Sequence, residues 1–166
     1  MTQQKDNKGK IMRRVLNAPT FKDNPNIIRS PSIPKRYPLL SLVDGSGGLY
    51  FVNESSEIIT SVSTVPWGFS GELSLQGGEE FSYENIQPNE GVLVQKAMTQ
   101  EEYENNIYYG KDFYKGLYLY VVSNSLGSIR IDPDSKYSVE EQILVYTDFT
   151  SPSRVMIKKM DEIENA

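Results

Sequence analysis

The sequence contains neither cysteine nor histidine among its 166 residues. Without cysteine there can be no disulfide, no thiolate zinc site and no cysteine nucleophile. Without histidine the chain lacks the commonest general base, a Ser–His–Asp triad and the usual ligand of catalytic zinc. We therefore predict that the protein is not an enzyme and that it carries no cofactor and no catalytic or structural metal.

Long apolar runs are also missing. No stretch of eighteen consecutive apolar residues occurs, so we expect no membrane-spanning helix. The charged N-terminal residues are not followed by the apolar core of a secretory signal. We expect a location in the cytoplasm, or in a particle that is assembled there.

Two short motifs resemble ligand-binding loops but fail on inspection. The glycine-rich stretch 45–48 precedes a predicted strand instead of a helix, so it indicates a hairpin turn and not a phosphate loop. Asp132, Asp134 and Glu140 lie close in sequence, but three positions of an EF-hand loop are wrong around them. A looser site for a hard cation near Asp132 and Asp134 remains an alternative to a solvated turn.

The net charge of −5 conceals two parts of opposite sign. Residues 1–38 hold nine Lys or Arg and two Asp, a net charge of +7, whereas the other 128 residues hold eight basic and twenty acidic side chains, a net charge of −12. Five of the nine prolines also fall between residues 19 and 38. This composition predicts an extended basic arm over residues 1–36 and an acidic domain over residues 37–166.

Isolated apolar side chains are interspersed with the basic ones along the arm. A partner surface would be contacted by both kinds, since opposite charge steers docking and apolar burial supplies most of the free energy. A short helix around residues 10–16 is also compatible with the pattern. The arm residues that we predict to bind a partner are Arg13, Arg14, Phe21, Ile27, Ile28, Arg29, Ile33, Lys35 and Arg36.

From Tyr37 onward, short apolar runs alternate with turn residues. Strands are predicted at 37–43, 49–52, 58–65, 72–75, 80–83, 91–97, 116–123, 128–132, 139–146 and 154–160. Pro66 is predicted to end the third of these, and Phe81 and Tyr83 to share one strand face. A capping box starting at Thr99 predicts one short helix over about residues 100–106. Nine or ten short strands at near-regular spacing predict a mainly β fold, a single antiparallel β-sandwich or barrel-like domain preceded by the arm.

Six of the eleven tyrosines lie between residues 103 and 124. The second half of this stretch, residues 117–122, is a continuous apolar and aromatic run, which is typical of a central strand covered on both faces. The first half, residues 103–114, is predicted to be an aromatic loop. Tyrosine offers a large, rigid contact area, so we predict a second partner-binding site there, formed by Tyr103, Tyr108, Tyr109 and Tyr114.

The function that these features favour is protein binding. The preferred hypothesis is a non-catalytic structural β-sandwich, a subunit of a larger assembly, whose arm docks on a partner protein or on a neighbouring copy. The arm has no nucleic-acid-binding motif, so we expect protein and not nucleic acid as its partner. One alternative is a small acidic immunity or inhibitor protein that neutralises a basic target through the tyrosine loop. A second is a module that binds a glycan or a lipid headgroup through the same loop.

Overall fold

The computed structural model describes residues 13–20, 37–70, 73–75, 80–97, 113–135 and 139–161, of which residues 68–70, 73–75 and 113–115 are described by their backbone alone. These ranges contain eleven strands: β1 (Arg14–Val15), β2 (Pro38–Gly45), β3 (Gly48–Asn53), β4 (Ile59–Ser70), β5 (Leu73–Leu75), β6 (Ser82–Ile86), β7 (Gly91–Lys96), β8 (Phe113–Ser123), β9 (Gly127–Asp132), β10 (Gln142–Tyr146) and β11 (Met156–Lys159). The helix predicted over residues 100–106 lies outside the described residues.

The strands form two antiparallel sheets. One has the order β1-β7-β3-β2-β10, and the other has the order β11-β9-β8-β4-β5, with β6 also pairing with β4. Because β6 pairs with the beginning of β4 and β5 with its end, both short strands lie along the same edge of β4. The prediction of a mainly β, antiparallel sandwich is confirmed, whereas the boundary between residues 36 and 37 stays a prediction.

The hairpin predicted around the glycine-rich stretch joins β2 to β3. Gly47 and Gly48 have φ angles of 80° and 155°. At Gly48 a Cβ atom would lie 2.0 Å from the carbonyl oxygen of Gln95 in the neighbouring strand β7. Glycine is therefore required at this position by the close approach of two backbones.

The hydrophobic core lies between the two sheets and draws on nearly every strand. Alternate residues of the central strands supply it, as expected for a sandwich in which each sheet turns one face inward. Its largest members with less than 2% of their surface exposed include Leu40, Leu42, Phe51, Ile59, Ile86, Leu117, Leu119, Ile131 and Leu144.

Strand β4 continues through Pro66, so the prediction that this proline ends the strand is wrong. Pro66 lies opposite Leu117 of β8 in an unbroken register. Two residues earlier, the N–H of Thr64 points to the other side of β4 and donates to the carbonyl of Phe81 at 2.9 Å. By the two-residue period of a strand, the donor that Pro66 lacks would point to that same side, where β4 is paired with neither β5 nor β6.

The run in β8 is central in its sheet but is buried on one face only, which corrects the prediction that both faces are covered. Leu117, Leu119 and Val121 are buried, whereas Tyr118 and Tyr120 between them are half-buried. Tyrosine is apolar enough to extend the run in the sequence, yet its hydroxyl favours contact with water.

Strand β3, by contrast, is covered on both faces. Leu49 and Phe51 face the core between the sheets, whereas Tyr50 and Val52 belong to a second buried cluster on the outer face of the five-stranded sheet. Val15, which follows Arg14 in β1, is part of that second cluster. The short helix considered for residues 10–16 is thus wrong over its described part, because residues 14 and 15 form a strand.

Candidate protein-interaction sites

The described part of the arm, residues 13–20, is here called the docking segment. It lies along the edge of the five-stranded sheet, where Arg14 is opposite Val92 and Val15 is opposite Gly91. Two backbone hydrogen bonds accompany this pairing. Leu93 N–H donates to the carbonyl of Arg13 at 2.8 Å, and Ala18 N–H donates to the carbonyl of Asn89 at 2.9 Å. The segment therefore docks by adding a strand to β7, a mode in which main-chain bonds contribute to affinity for any suitable strand.

Apolar burial accompanies the strand addition. Val15 and Ala18 are only 6% and 8% exposed, whereas Leu16 between them is 60% exposed. Their contact surface is the outer face of the five-stranded sheet, which is built from Val43, Tyr50, Val52 and Leu93 together with Phe81. The docking segment thus covers part of a sheet face that water would otherwise contact.

Arg14 holds the segment in place through a buried carboxylate. Its guanidinium donates from Nε to Glu90 Oε2 at 3.0 Å and from Nη2 to Glu90 Oε1 at 2.8 Å. It also donates to the carbonyl oxygens of Glu84 and Asn85, both at 3.1 Å. The side chain of Glu90 is only 6% exposed, and that of Arg14 is 39% exposed. This bidentate geometry is specific to arginine, because a lysine ammonium cannot reproduce the planar fork.

The pair changes the acidity of both groups. Burial acts to raise the pKa of the Glu90 carboxyl, but the hydrogen bonds from Arg14 and from the N–H of Gln87, together with the charge of Arg14, outweigh it and lower that pKa. The hydrogen bond to Glu90 correspondingly raises the pKa of Arg14. Both shifts favour the ionised pair, so the docking segment is bound by a charge–charge contact at neutral pH.

Aromatic rings of the body lie under the two arginines. The guanidinium carbon of Arg13 lies 5.1 Å from the ring centroid of Phe81, and that of Arg14 lies 5.9 Å from the ring centroid of Tyr83. The two rings are stacked with centroids 6.3 Å apart and an angle of 7° between their planes. Their predicted common strand face is confirmed. The hydroxyl of Tyr83 donates to the carbonyl of Leu93 at 2.6 Å, which fixes this ring against β7.

The structure places two of the predicted arm residues, Arg13 and Arg14, and both contact the chain's own body. The other predicted arm residues lie outside the described residues; they are Phe21, Ile27, Ile28, Arg29, Ile33, Lys35 and Arg36.

The same is true of most of the predicted loop site. Tyr103, Tyr108 and Tyr109 lie outside the described residues. Tyr114 was predicted in the loop but belongs to β8, where its backbone pairs with Phe69 of β4.

A second group of aromatic and charged residues lies on the outer face of the six-stranded sheet. The rings of Trp67 and Tyr118 are 6.4 Å apart and tilted by 40°. The guanidinium carbon of Arg130 lies 4.6 Å from the ring centroid of Tyr118. Gly116 makes room for this arrangement, because a Cβ there would lie 2.1 Å from Cζ2 of Trp67. The indole therefore covers the backbone of β8 where the side chain is missing.

Arg130 connects this group to β9's last residue. It donates to the two carboxylate oxygens of Asp132 at 2.8 and 3.0 Å, and the hydrogen bond to Asp132 is the main cause that raises the pKa of Arg130, with a smaller contribution from Tyr120. The carboxylate oxygens of Asp132, which the sequence suggested as ligands of a cation, thus accept hydrogen bonds from the guanidinium of Arg130. At the second residue of that suggested site, the backbone N–H of Asp134 donates to the side-chain oxygen of Gln142. The arrangement is that of an ion pair braced on an aromatic face.

Sequence reasoning missed the two acidic partners, Glu90 and Asp132. For Asp132 a signal existed, since Arg130 and Asp132 are two positions apart in a strand and must share one face. For Glu90 no local signal existed, because it follows a turn, where acidic residues are ordinarily exposed, and its partner Arg14 is 76 residues away along the chain.

The described residues contain neither a metal-binding cluster nor a membrane-spanning helix. No three His, Cys, Asp or Glu side chains in this part of the chain lie close enough to hold a metal ion. Nor do these residues include a helix with the length and apolar character needed to cross a lipid bilayer. In comparisons with known proteins, no protein-family model, curated protein or solved structure matches the chain.

Proposed function

We propose that the protein is a non-catalytic, protein-binding β-sandwich that serves as a subunit of a larger assembly, with the N-terminal arm as its docking element. The observation that carries this proposal is the contact of the docking segment with the acidic body. A basic residue of the arm, Arg14, meets a carboxylate that is only 6% exposed, and two apolar arm residues beside it are buried.

The contact combines the three components of a specific protein–protein interface. Strand addition supplies directional main-chain bonds, Val15 and Ala18 supply apolar burial, and the Arg14–Glu90 pair supplies a bidentate polar anchor. The arm is thus chemically suited to docking on a surface of the acidic body's kind, on a partner protein or on a neighbouring copy. Its remaining basic and apolar residues extend the same composition beyond the docking segment.

The test compares three proteins by mass in solution and by affinity capture from the native source. They are the full chain, a chain that lacks residues 1–12, and a chain in which Arg29, Lys35 and Arg36 are replaced by Gln. All three retain the docking segment, so the sheet face stays covered and the fold is preserved. We expect a loss of assembly or partner capture in at least one of these variants or in a fourth protein, R14E, which disrupts the contact of the docking segment itself. Unchanged mass and capture in all of them would refute the proposal.

A matched control comes from the body. Replacing Lys158 and Lys159 of β11 by Gln changes two positive charges on strand residues that are exposed. If this control loses assembly to the same extent as the arm variants, the effect reflects total charge and not the arm.

A further inference from the structure

We propose that the docking segment is exchanged between copies, so that residues 13–20 of one chain add to β7 of a second copy of the same chain. This inference rests on the proposed function and names its partner as a neighbouring copy. Its starting point is that the contact is self-contained. Among the described residues, the strand pairing, the buried Val15 and Ala18 and the Arg14–Glu90 pair involve β6, β7 and the outer face of β2 and β3, with their adjoining turns.

The connection to the body is the second observation. Sixteen residues, 21–36, separate Thr20 from Tyr37. In the sheet order β1-β7-β3-β2, the docking segment and the start of β2 are three strand spacings apart. Three spacings amount to about 15 Å, whereas sixteen residues can extend to roughly 55 Å. The connection is therefore several times longer than docking within one chain requires, and it can reach the body of an adjacent copy.

Identical contacts would be made in both arrangements, so their balance depends on concentration. Docking within one chain benefits from an effective concentration in the millimolar range, which the linker sets. In an assembly, a neighbouring copy is held at a comparable local concentration. Exchange then becomes competitive, and it links the copies without any new surface, as in other domain-swapped proteins.

The absence of cysteine makes a direct test possible, because an engineered variant then contains no thiol other than those introduced by substitution. A Cβ built on Gly91 lies 3.1 Å from Cβ of Ala18. This is slightly shorter than the Cβ–Cβ distance of about 3.5–4.5 Å in disulfides, so a small shift allows the bond. The variants A18C and G91C are prepared separately, mixed in equal amounts under conditions that preserve the native assembly, and oxidised. A third protein, A18C/G91C, carries both thiols on one chain.

Exchange predicts a covalent heterodimer of twice the 18.8 kDa chain mass in the mixture of A18C and G91C. We expect at least tenfold more of it than in a control mixture of A18C with F149C, because Phe149 is 56% exposed but lies outside the contact. The proposal is overturned if A18C/G91C closes its disulfide within one chain while the mixture gives no more heterodimer than the control.

A second pair of variants tests exchange without any substitution at Gly91. R14E and E90R each place like charges at the contact, so neither chain can dock its own segment well. When they are mixed, exchange restores one native pair and one reversed pair in each heterodimer. We expect the mixture, and neither variant alone, to recover the mass of the native assembly, and a mixture that behaves as the average of its two components contradicts exchange.

The outcome also separates this inference from the proposed function. If deletion or substitution in the arm abolishes assembly while both mixtures fail, the arm binds elsewhere and only the exchange is refuted. If arm variants leave assembly and partner capture unchanged and both mixtures fail, both proposals are refuted.

Discussion

Replacement of Arg14 by Ala removes a guanidinium from a carboxylate that the fold keeps away from water. Glu90 would retain the N–H of Gln87, which donates to its Oε1 at 2.9 Å, but would lose both hydrogen bonds from Arg14. Removal of one partner from a fully buried ion pair costs about 3–5 kcal/mol, and an exposed pair contributes about 1 kcal/mol or less. Because Arg14 is 39% exposed and Glu90 is 6% exposed, we expect a loss of about 2 kcal/mol.

Conservative variants separate the contribution of the charge from that of the bidentate hydrogen bonds to this loss of stability. R14K keeps the charge but loses the planar fork, so we expect a loss of about 1 kcal/mol. E90Q should destabilise the native chain, since it removes the charge that Arg14 pairs with. In the R14A background the same E90Q change should instead be stabilising, because it removes a buried carboxylate that has lost its cation. This reversal of sign is specific to an ion pair and is not expected from packing alone.

The pH dependence follows from the direction of the Glu90 pKa. The pKa is lowered from its ordinary value of 4.5, so the pair's contribution is complete above about pH 4.5 and is lost as the pH falls through the lower, folded value. In R14A, burial still raises the pKa of Glu90 and the guanidinium no longer opposes it. The difference in unfolding free energy between the native chain and R14A should therefore be largest at pH 7 and should decrease in acid.

Urea denaturation followed by circular dichroism measures these differences, with the unfolding free energy obtained at pH 7 and at a series of pH values below 4.5. R154A is the matched control, because Arg154 is an exposed arginine in the turn before β11. It should change the stability by less than about 0.5 kcal/mol. A loss in R14A no greater than in R154A, or a loss that does not change with pH, would refute the assignment of Glu90 as a buried, ionised partner.

Three further predictions concern other parts of the fold. G116A should cost about 1–3 kcal/mol and change the emission of Trp67, the single tryptophan, since the new methyl would overlap the indole; unchanged fluorescence would contradict the described ring position. F149N should raise the melting temperature by a few degrees, because φ is 64° at Phe149 and asparagine tolerates this conformation better; a lower melting temperature would show that the ring makes a stabilising contact. V15A should destabilise the protein by about 1 kcal/mol or more, whereas L16A should be nearly neutral, since Val15 is 6% exposed and Leu16 is 60% exposed; equal losses measured in urea would contradict the buried position of Val15.

Most strand positions could be predicted from sequence because the relevant information is local. Apolar alternation, β-branched residues and turn residues predicted the hairpin of β2 and β3 and the common face of Phe81 and Tyr83, and all of these were confirmed. The errors arose where a neighbour decides the outcome. Pro66 is compatible with a strand only because its missing donor points to a stretch without strand pairing, and no local pattern specifies that.

The candidate site divides in the same way. The basic charge of the arm, the acidic charge of the body and the inclusion of Arg14 among the arm's binding residues were apparent from the sequence, because charge and composition do not depend on folding. The acidic residue that pairs with Arg14 could not be predicted in this way. Glu84 lies within β6 and Glu90 follows the turn after that strand, yet Glu84 is exposed and offers its carbonyl, whereas Glu90 is buried and offers its carboxylate.

Local chemistry thus determined that this chain would form an antiparallel β-sandwich with a basic N-terminal segment, since strand periodicity and turn residues act over a few positions. Only the tertiary structure decided that Val15 and Ala18 are buried on the outer face of a sheet and that Glu90 is the carboxylate that binds Arg14. The physical reason is that burial and ion pairing depend on which strands become neighbours. Here β1 lies 70 or more residues before the residues of β6 and of the turn before β7 that Arg14 contacts.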